Sequence, residues 1–536
     1  MSQVTIAHKL EHAFQLLNQG HRDHAESICR RVLAQYPSQP DALNLMGQIE
    51  LSRRQFEKAR QLFKKGLKIA PSNLQMLNNA GWVERELKNY DKSEAFFLKA
   101  LQLDPGYFYA RQNLAVLYQD QRNFSRAKRL YREVIRQQPN LADALANLSS
   151  ILEKEHELDE AGSLARQALN IDPGHYVARL TLASIAARDK AFDQVIGFLG
   201  PLLKSRGLPP MDWAVACAKC AHAYDKQGDY KQAFALFQAA NELLFRQYEQ
   251  AMGQADLMYS PAAFSRIQKA LPEFGFFRES RETAAPVFLI GFPRSGTTLL
   301  DQVLSSHSQI TVLEEKPTLE GAFRQFPATE QGLSALMRAG KGELEKLRRS
   351  YWARVKQELA SNTLPPVIVD KLPLNAFALL HINRMFPGAK IIVALRDPRD
   401  SVFSSFQHTF RINPATFQLL KLETAVSFYD QVMNVIAGAH DAQALAMHFT
   451  RYEKVVDDFE TEVGALIEFL RLDWEHALFD YQLTAKARDI RTPSSSQVIQ
   501  PLYTSSIGKW RHYQEWIGAC FEPLDKWVKK WGYPLT

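Results

Sequence analysis

Residues 287–298 read VFLIGFPRSGTT, and this stretch decides the fold of the C-terminal half of the chain. Val287, Phe288, Leu289 and Ile290 form an apolar run too short for a helix and suited to a buried strand. Gly291 and Gly296 then bracket a tight loop that runs into a helix. Glycines let backbone N–H groups face an anion, and the helix N-terminus adds the positive end of its dipole. The loop residues Arg294, Ser295, Gly296, Thr297 and Thr298 are therefore candidate anion ligands. Further along, 367–369, 391–395 and 445–449 read as buried strands separated by amphipathic helical stretches. Strands alternating with helices imply a mostly parallel α/β sheet.

The loop has the G-x-x-x-x-G spacing of a nucleoside-triphosphate loop, but Thr297 stands where the lysine would be. Its positive charge comes from Arg294 instead, which argues against an ATPase or kinase. PRSGTT after a strand resembles the 5′-phosphosulfate loop of sulfotransferases, enzymes that use 3′-phosphoadenosine-5′-phosphosulfate (PAPS) as co-substrate and release PAP. Residues 395–404, LRDPRDSVFS, are similar to that family's 3′-phosphate motif, which implies a clamp by Arg396 and Ser404. An arginine fork plus a hydroxyl suits a terminal phosphate dianion. Arg399 and Asp400 in the same motif read as a surface pair with no ligand role.

Within the family, the tyrosylprotein sulfotransferases resemble this chain most, through PRSGTT followed by a Glu-Glu pair. In that pattern the second glutamate, 21 residues after the loop arginine, is the general base, which implies Glu315 here. A phenol or alcohol needs such a base because it is a poor nucleophile until its proton leaves. Glu314 reads as a structural acceptor, and His307 is the competing base, since cytosolic sulfotransferases use histidine. The resemblance further implies Lys371, at a strand end, as the cation facing the leaving oxygen. It implies Ser494 as a transition-state serine, Tyr452 on the adenosine side and Lys509 as a cofactor lysine. No metal is required. Where the family carries an arginine that helps bind acidic peptides, two residues after the catalytic glutamate, this chain has Pro317.

The N-terminal half carries an internal repeat. Pro37, Pro71, Pro105, Pro139 and Pro173 are 34 residues apart, as are Ala25, Ala59, Ser93, Ala127 and Ala161. An aromatic or leucine column (Phe56, Tyr90, Phe124, Leu158, Phe192) keeps the same interval. Small residues let two helices approach, the large one fills the gap between them, and proline closes one unit. The pattern resembles the tetratricopeptide repeat, with five clear repeats, a degenerate sixth over 174–207, and a shifted helix pair around Gly228, Tyr230 and Ala233. Such an α-solenoid implies a concave peptide-binding face. Asn79, Asn113 and Asn147 share one column, similar to the asparagine ladder of some glycosyltransferase repeat arrays. They are either acceptor-binding amides able to grip a peptide backbone or residues simply frequent at that repeat position.

The expected organisation is a tetratricopeptide solenoid over 1–248, a linker or docking segment over 249–285, and a PAPS-dependent, P-loop-like sulfotransferase domain over 286–536. A net charge of +7 suits an anionic ligand, and the absence of a Lys/Arg run disfavours nucleic acid. Four scattered cysteines point to a reducing, cytoplasmic setting. The pair Cys217 and Cys220 reads as small core residues one turn apart. No apolar run is long enough to span a membrane. Three functions follow: a sulfotransferase acting on a protein or peptide recruited by the repeats, one acting on a small molecule, glycan or lipid, or a non-catalytic nucleotide-binding scaffold. A homodimer is a possible assembly.

Overall fold

A computed structural model describes residues 3–204, 207–252, 258–273, 285–361, 363–487 and 506–535. Two compact units are present, Met1–Lys204 and Ser205–Thr536. In the first, twelve described helices from Gln3–Asn18 to Phe192–Lys204 pair through short turns. The 34-residue interval has a backbone counterpart: Gly20, Arg54, Lys88, Arg122, His156 and Lys190 all take φ between +58° and +84°. Each ends the first helix of a pair. The next residue's N–H reaches back five positions, as from Gln55 to the Glu50 carbonyl at 2.9 Å and from Asn123 to Tyr118 at 2.8 Å. This closure satisfies carbonyls that the helix end would otherwise leave open.

The repeated small residues are where helices touch. A Cβ on Gly47 would lie 2.4 Å from the Phe63 ring, and one on Gly81 would lie 2.6 Å from Phe97. Ser93 stands in an alanine column yet is fully buried, because its hydroxyl donates to the Gly81 carbonyl at 2.7 Å.

The second unit holds a five-stranded sheet of order β2-β3-β1-β4-β5, with every pairing parallel. The strands are β1 (Val287–Gly291), β2 (Ile310–Glu314), β3 (Val367–Lys371), β4 (Lys390–Leu395) and β5 (Ala446–Arg451). Both faces are covered, as an all-parallel sheet requires. Phe288, Ile290, Ile368 and Ile391 pack with Tyr351, Phe428 and Val432, from the helices Lys341–Leu359 and Leu422–Asp441. Val287, Leu289, Val369 and Ile392 pack with Leu300, Val303 and Leu466, from the helices Thr297–Ser305 and Phe459–Leu470. From β1 the chain crosses to one side of the sheet, and from β4 it crosses to the other. The crevice beyond the carboxyl ends of β1 and β4 is thus the switch point at which α/β sheets bind ligands.

The helices Pro210–Gln227 and Tyr230–Met252 fall in this second unit, not in the solenoid over 1–248 expected from the repeats. The first ends on Gly228 at φ 82°. Asn241 donates to the Phe406 carbonyl at 2.8 Å, Phe234 stacks on Trp516, and Phe245 stacks on Phe417. Repeat spacing is a local property, whereas this docking depends on aromatic groups far away in sequence. Cys217 and Cys220 are buried free thiols whose pKa burial pushes up to about 12, which leaves them unreactive. Among the described residues no helix is long and apolar enough to cross a membrane.

Candidate active site

All five strands deliver a candidate residue at their carboxyl ends. β1 leads to Arg294, β2 ends on Glu314 beside Glu315, β3 ends on Lys371, β4 leads to Arg396, and β5 leads to Tyr452. Because the strands are parallel, these ends lie on one edge of the sheet. The pairings Glu314 with Lys371 and Leu395 with Arg451 fix their mutual height.

The loop after β1 turns on two left-handed residues, Arg294 at φ 67° and Gly296 at φ 98°. A Cβ on Gly296 would sit 3.0 Å from the Tyr452 ring, so only glycine allows this approach. Thr297 and Thr298 are buried in the first turn of the helix Thr297–Ser305, where N–H groups lack intrahelical partners. Arg294 Nε donates to Ser404 Oγ at 3.2 Å. Arg396 donates to the Arg294 carbonyl at 3.2 Å and to the Ser506 carbonyl at 2.5 Å, with its guanidinium 5.2 Å from the centre of the Tyr452 ring. The Tyr452 hydroxyl lies 3.0 Å from Ser506 Oγ. Arg294, Gly296, Arg396, Ser404 and Tyr452, distant in sequence, thus form one cluster. Within it the buried Ser295 Oγ and Arg396 Nε have no hydrogen-bond partner among the described residues. Buried polar atoms rarely stay unmatched, and an oxyanion would satisfy both.

Arg399 and Asp400, expected as a surface pair, are both buried, at 3% and 2% exposure, and do not pair with each other. Arg399 grips Asp397 through Nε at 3.0 Å and Nη2 at 2.7 Å, and donates to the Pro534 and Leu535 carbonyls. Asp400 accepts from the backbone N–H of Gly508 at 2.6 Å and of Trp510 at 3.1 Å, which pins the backbone on both sides of Lys509. Charge in a polar motif is ordinarily exposed; here Asp397 offsets Arg399, and backbone groups more than 100 residues away satisfy the rest. Lys509 Nζ lies 2.8 Å from Asp225 Oδ2, and burial pulls its pKa below the usual lysine range against that attraction.

The second cluster is anionic around one cation. Lys371 Nζ is 3.2 Å from Glu315 Oε1, 3.5 Å from Glu314 Oε1 and 3.6 Å from Asp301 Oδ2. The Lys371 and Asp301 side chains are wholly buried, whereas Glu315 is 41% exposed, so Glu315 is the carboxylate open to an incoming group. Glu315 takes φ 51°, with its N–H donating to the Lys371 carbonyl at 2.7 Å. A non-glycine residue held there stores backbone strain of about 1–3 kcal/mol. Asp301 was not anticipated; its signal is a lone acid in the apolar helix TTLLDQVLS.

His307 is fixed as a turn element. Its Nε2 meets the Asp473 carbonyl at 2.9 Å, and Nδ1 accepts from the Gln309 N–H at 3.1 Å. Ser494 lies outside the described residues. In the first unit Asn79, Asn113 and Asn147 are half-buried. Asn79 donates to Asn44 at 3.1 Å and Asn113 to Asn78 at 2.8 Å, linking successive repeats, while Asn147 lies beside the Tyr131 hydroxyl. Among the described residues no group of three His, Cys, Asp or Glu side chains is placed to hold a metal.

Asp370 sits beside Lys371 on the opposite face of β3 and braces the Glu315 loop. It accepts from Thr318 Oγ1 at 2.5 Å and from the Tyr351 hydroxyl at 3.1 Å. Burial pushes its carboxyl up to about 6 against the two hydroxyl donors. An acid raised above its unfolded value contributes stability at low pH that is lost as pH rises through the folded value. In denaturant unfolding, parent stability from this group should therefore fall between about pH 4 and about pH 6. Asp370→Asn should remove that fall, worth roughly 2–3 kcal/mol between about pH 4 and about pH 7.

Comparison with known proteins agrees with this architecture. Residues 286–476 match the model of the sulfotransferase family, and residues 10–74 and 84–150 match tetratricopeptide repeat models. An uncharacterized protein of Aquifex aeolicus (strain VF5) is 27% identical over 360 residues, which cover 64% of this chain and 45% of that protein. Protein-tyrosine sulfotransferase 2 of Gallus gallus is 24% identical over 44% of this chain and 65% of its own length. Protein-tyrosine sulfotransferase 1 of Homo sapiens is 27% identical over 42% of this chain and 62% of its own length. The chain thus spans less than two thirds of each of these relatives.

Proposed function

We propose, from a sulfotransferase-family domain at residues 286–476 set behind tetratricopeptide repeats, that this chain transfers a sulfuryl group from PAPS to a hydroxyl acceptor. The acceptor we favour is a tyrosine phenol of a protein or peptide recruited by the repeats. One observation carries the reading: a cluster of two joined arginines and an exposed carboxylate paired to a buried ammonium share one sheet edge. When bound, PAPS supplies the sulfuryl group and departs as PAP.

The chain's own groups then have distinct tasks. Arg294, Ser295, Gly296, Thr297 and Thr298 hold the 5′-phosphosulfate through backbone N–H groups, hydroxyls and one guanidinium. Arg396 and Ser404 hold the 3′-phosphate, Tyr452 packs on the adenosine side, and Lys509 adds a cation. Ser494 is kept in the proposal from the sequence resemblance alone. Glu315 Oε1 takes the acceptor's proton as the acceptor oxygen bonds to sulfur. Lys371 Nζ would neutralise charge on the bridging oxygen, whose bond to sulfur breaks and which keeps the electron pair. Such transfer is mostly positioning and electrostatics, as for phosphoryl groups. Asn79, Asn113 and Asn147 are offered as amides along the path of an extended acceptor.

The test is incubation of the purified full chain with ³⁵S-labelled PAPS and a cell lysate, followed by separation of protein from small molecules. Label recovered as sulfotyrosine supports the reading. Label only in glycans, lipids or metabolites replaces the acceptor class, and absence of label with PAP bound leaves a non-catalytic scaffold.

A further inference from the structure

The helices Pro210–Gln227 and Tyr230–Met252 and the short helix Lys509–Tyr513 all lie outside residues 286–476, the part that matches the sulfotransferase family. They nevertheless meet beside the arginine cluster. Asp225, with a side chain only 4% exposed, lies 2.8 Å from Lys509 Nζ through Oδ2 and accepts from the Tyr513 hydroxyl at 2.5 Å through Oδ1. One carboxylate thus grips both ends of the helix Lys509–Tyr513. Beyond the turn at Gly228, Tyr230 stacks on His512 with ring centres 4.6 Å apart, and Phe234 stacks on Trp516 at 5.6 Å.

The same segment is tied to the arginine cluster through its backbone. Arg396 donates to the Ser506 carbonyl at 2.5 Å, and the Tyr452 hydroxyl lies 3.0 Å from Ser506 Oγ. Asp400 accepts from the N–H groups of Gly508 and Trp510. The helix Pro398–Phe406, which carries Asp400 and Ser404, is braced by the same helix pair. The buried Asn241 donates to the Phe406 carbonyl at 2.8 Å, and Tyr513 packs on Phe403 with ring centres 4.5 Å apart. Residues 506–513 are therefore a wall with two attachments, Arg396 and Asp400 from the sheet edge and Asp225 from the helix pair.

We propose that Asp225 is a positioning residue of the bisphosphate nucleotide site, holding the Lys509 ammonium and residues 506–513 in register with Arg396. This inference rests on the nucleotide reading above. It makes the helix pair that precedes the transferase segment a part of the nucleotide-binding machinery, through a residue that itself touches no substrate. An ammonium has three donors, so one anchored to Asp225 still has others for a phosphate oxygen. Lysine is a point charge on a flexible four-carbon stem. Without its anchor the nucleotide itself must order that stem, and binding weakens.

The experiment is a double-mutant cycle on PAP affinity, read by calorimetric titration of the full chain. Asp225→Asn keeps the size of the side chain and an oxygen for the Tyr513 hydroxyl, and loses the charge. It should bind PAP about tenfold more weakly than the parent, and in steady state the loss should fall on KM for PAPS rather than on kcat. Lys509→Met should weaken PAP binding at least as much. Adding Asp225→Asn to Lys509→Met should weaken it no further, because Asp225 acts through the ammonium. A merely structural Asp225 would give losses that add in full. Asp225→Ser serves if Asp225→Asn does not fold. Additive losses, an Asp225 variant that binds PAP as tightly as the parent, or a loss confined to kcat overturns the inference. Lys509→Met binding PAP like the parent overturns it as well. A parent that binds no PAP at all overturns the nucleotide reading instead.

Discussion

A Glu315→Gln variant should transfer sulfuryl groups about 10²–10⁴-fold more slowly than the parent, the usual contribution of a general base, with PAP affinity unchanged. The amide keeps the shape of the carboxylate and its contact with Lys371 at 3.2 Å, so the contacts of Arg294 and Arg396 are undisturbed. What it loses is the capacity to accept a proton. Steady-state rates with labelled PAPS and PAP titration together separate the two effects. Glu314→Gln serves as the internal control. Glu314 shares the same ammonium at 3.5 Å but is only 10% exposed, so an acceptor hydroxyl has little access to it. Equal losses in the two variants would assign proton removal to the pair; full activity in Glu315→Gln would remove Glu315 from the base role.

This arrangement was partly legible in the sequence, for a physical reason. A ligand-binding strand end needs particular residue types at short intervals, so Arg294, Arg396 and Lys371 stood out within local motifs. The 34-residue interval was equally readable because every repeat solves the same packing problem. Strand β2 was not foreseen: it is an edge strand whose apolar run, Val312–Leu313, is only two residues long between Thr311 and Glu314. The left-handed turn residues were hidden because Arg54, Lys88, Arg122, His156 and Lys190 carry none of glycine's signature. Asp225, Asp301 and Asp400 were hidden for a different reason. Each acts through a partner from another part of the chain: Lys509, Lys371 and the Gly508–Trp510 backbone. No local pattern encodes such a partner, and these buried acids hold the charged groups of the site in position.

The same logic makes Lys371→Met the substitution with the largest expected cost to the fold. The Lys371 side chain is wholly buried among Asp301, Glu314 and Glu315, all within 3.6 Å of its ammonium. Removing one member of a buried ionic group leaves the others uncompensated, typically at about 3–5 kcal/mol. Thermal and denaturant unfolding should show that loss, and transfer activity should vanish with it. Loss of activity alone would be ambiguous, because an unstable protein also loses activity. Adding Asp301→Asn to Lys371→Met separates the two. The second change removes one buried charge from the uncompensated group, so part of the stability should return. The bridging oxygen would still lack its cation, so activity should not return. Lys371→Met unfolding like the parent would mean that the three carboxylates are relieved some other way. Recovery of transfer in the double variant would reduce Lys371 to a structural counter-ion and leave the leaving oxygen to Arg294 and the loop amides.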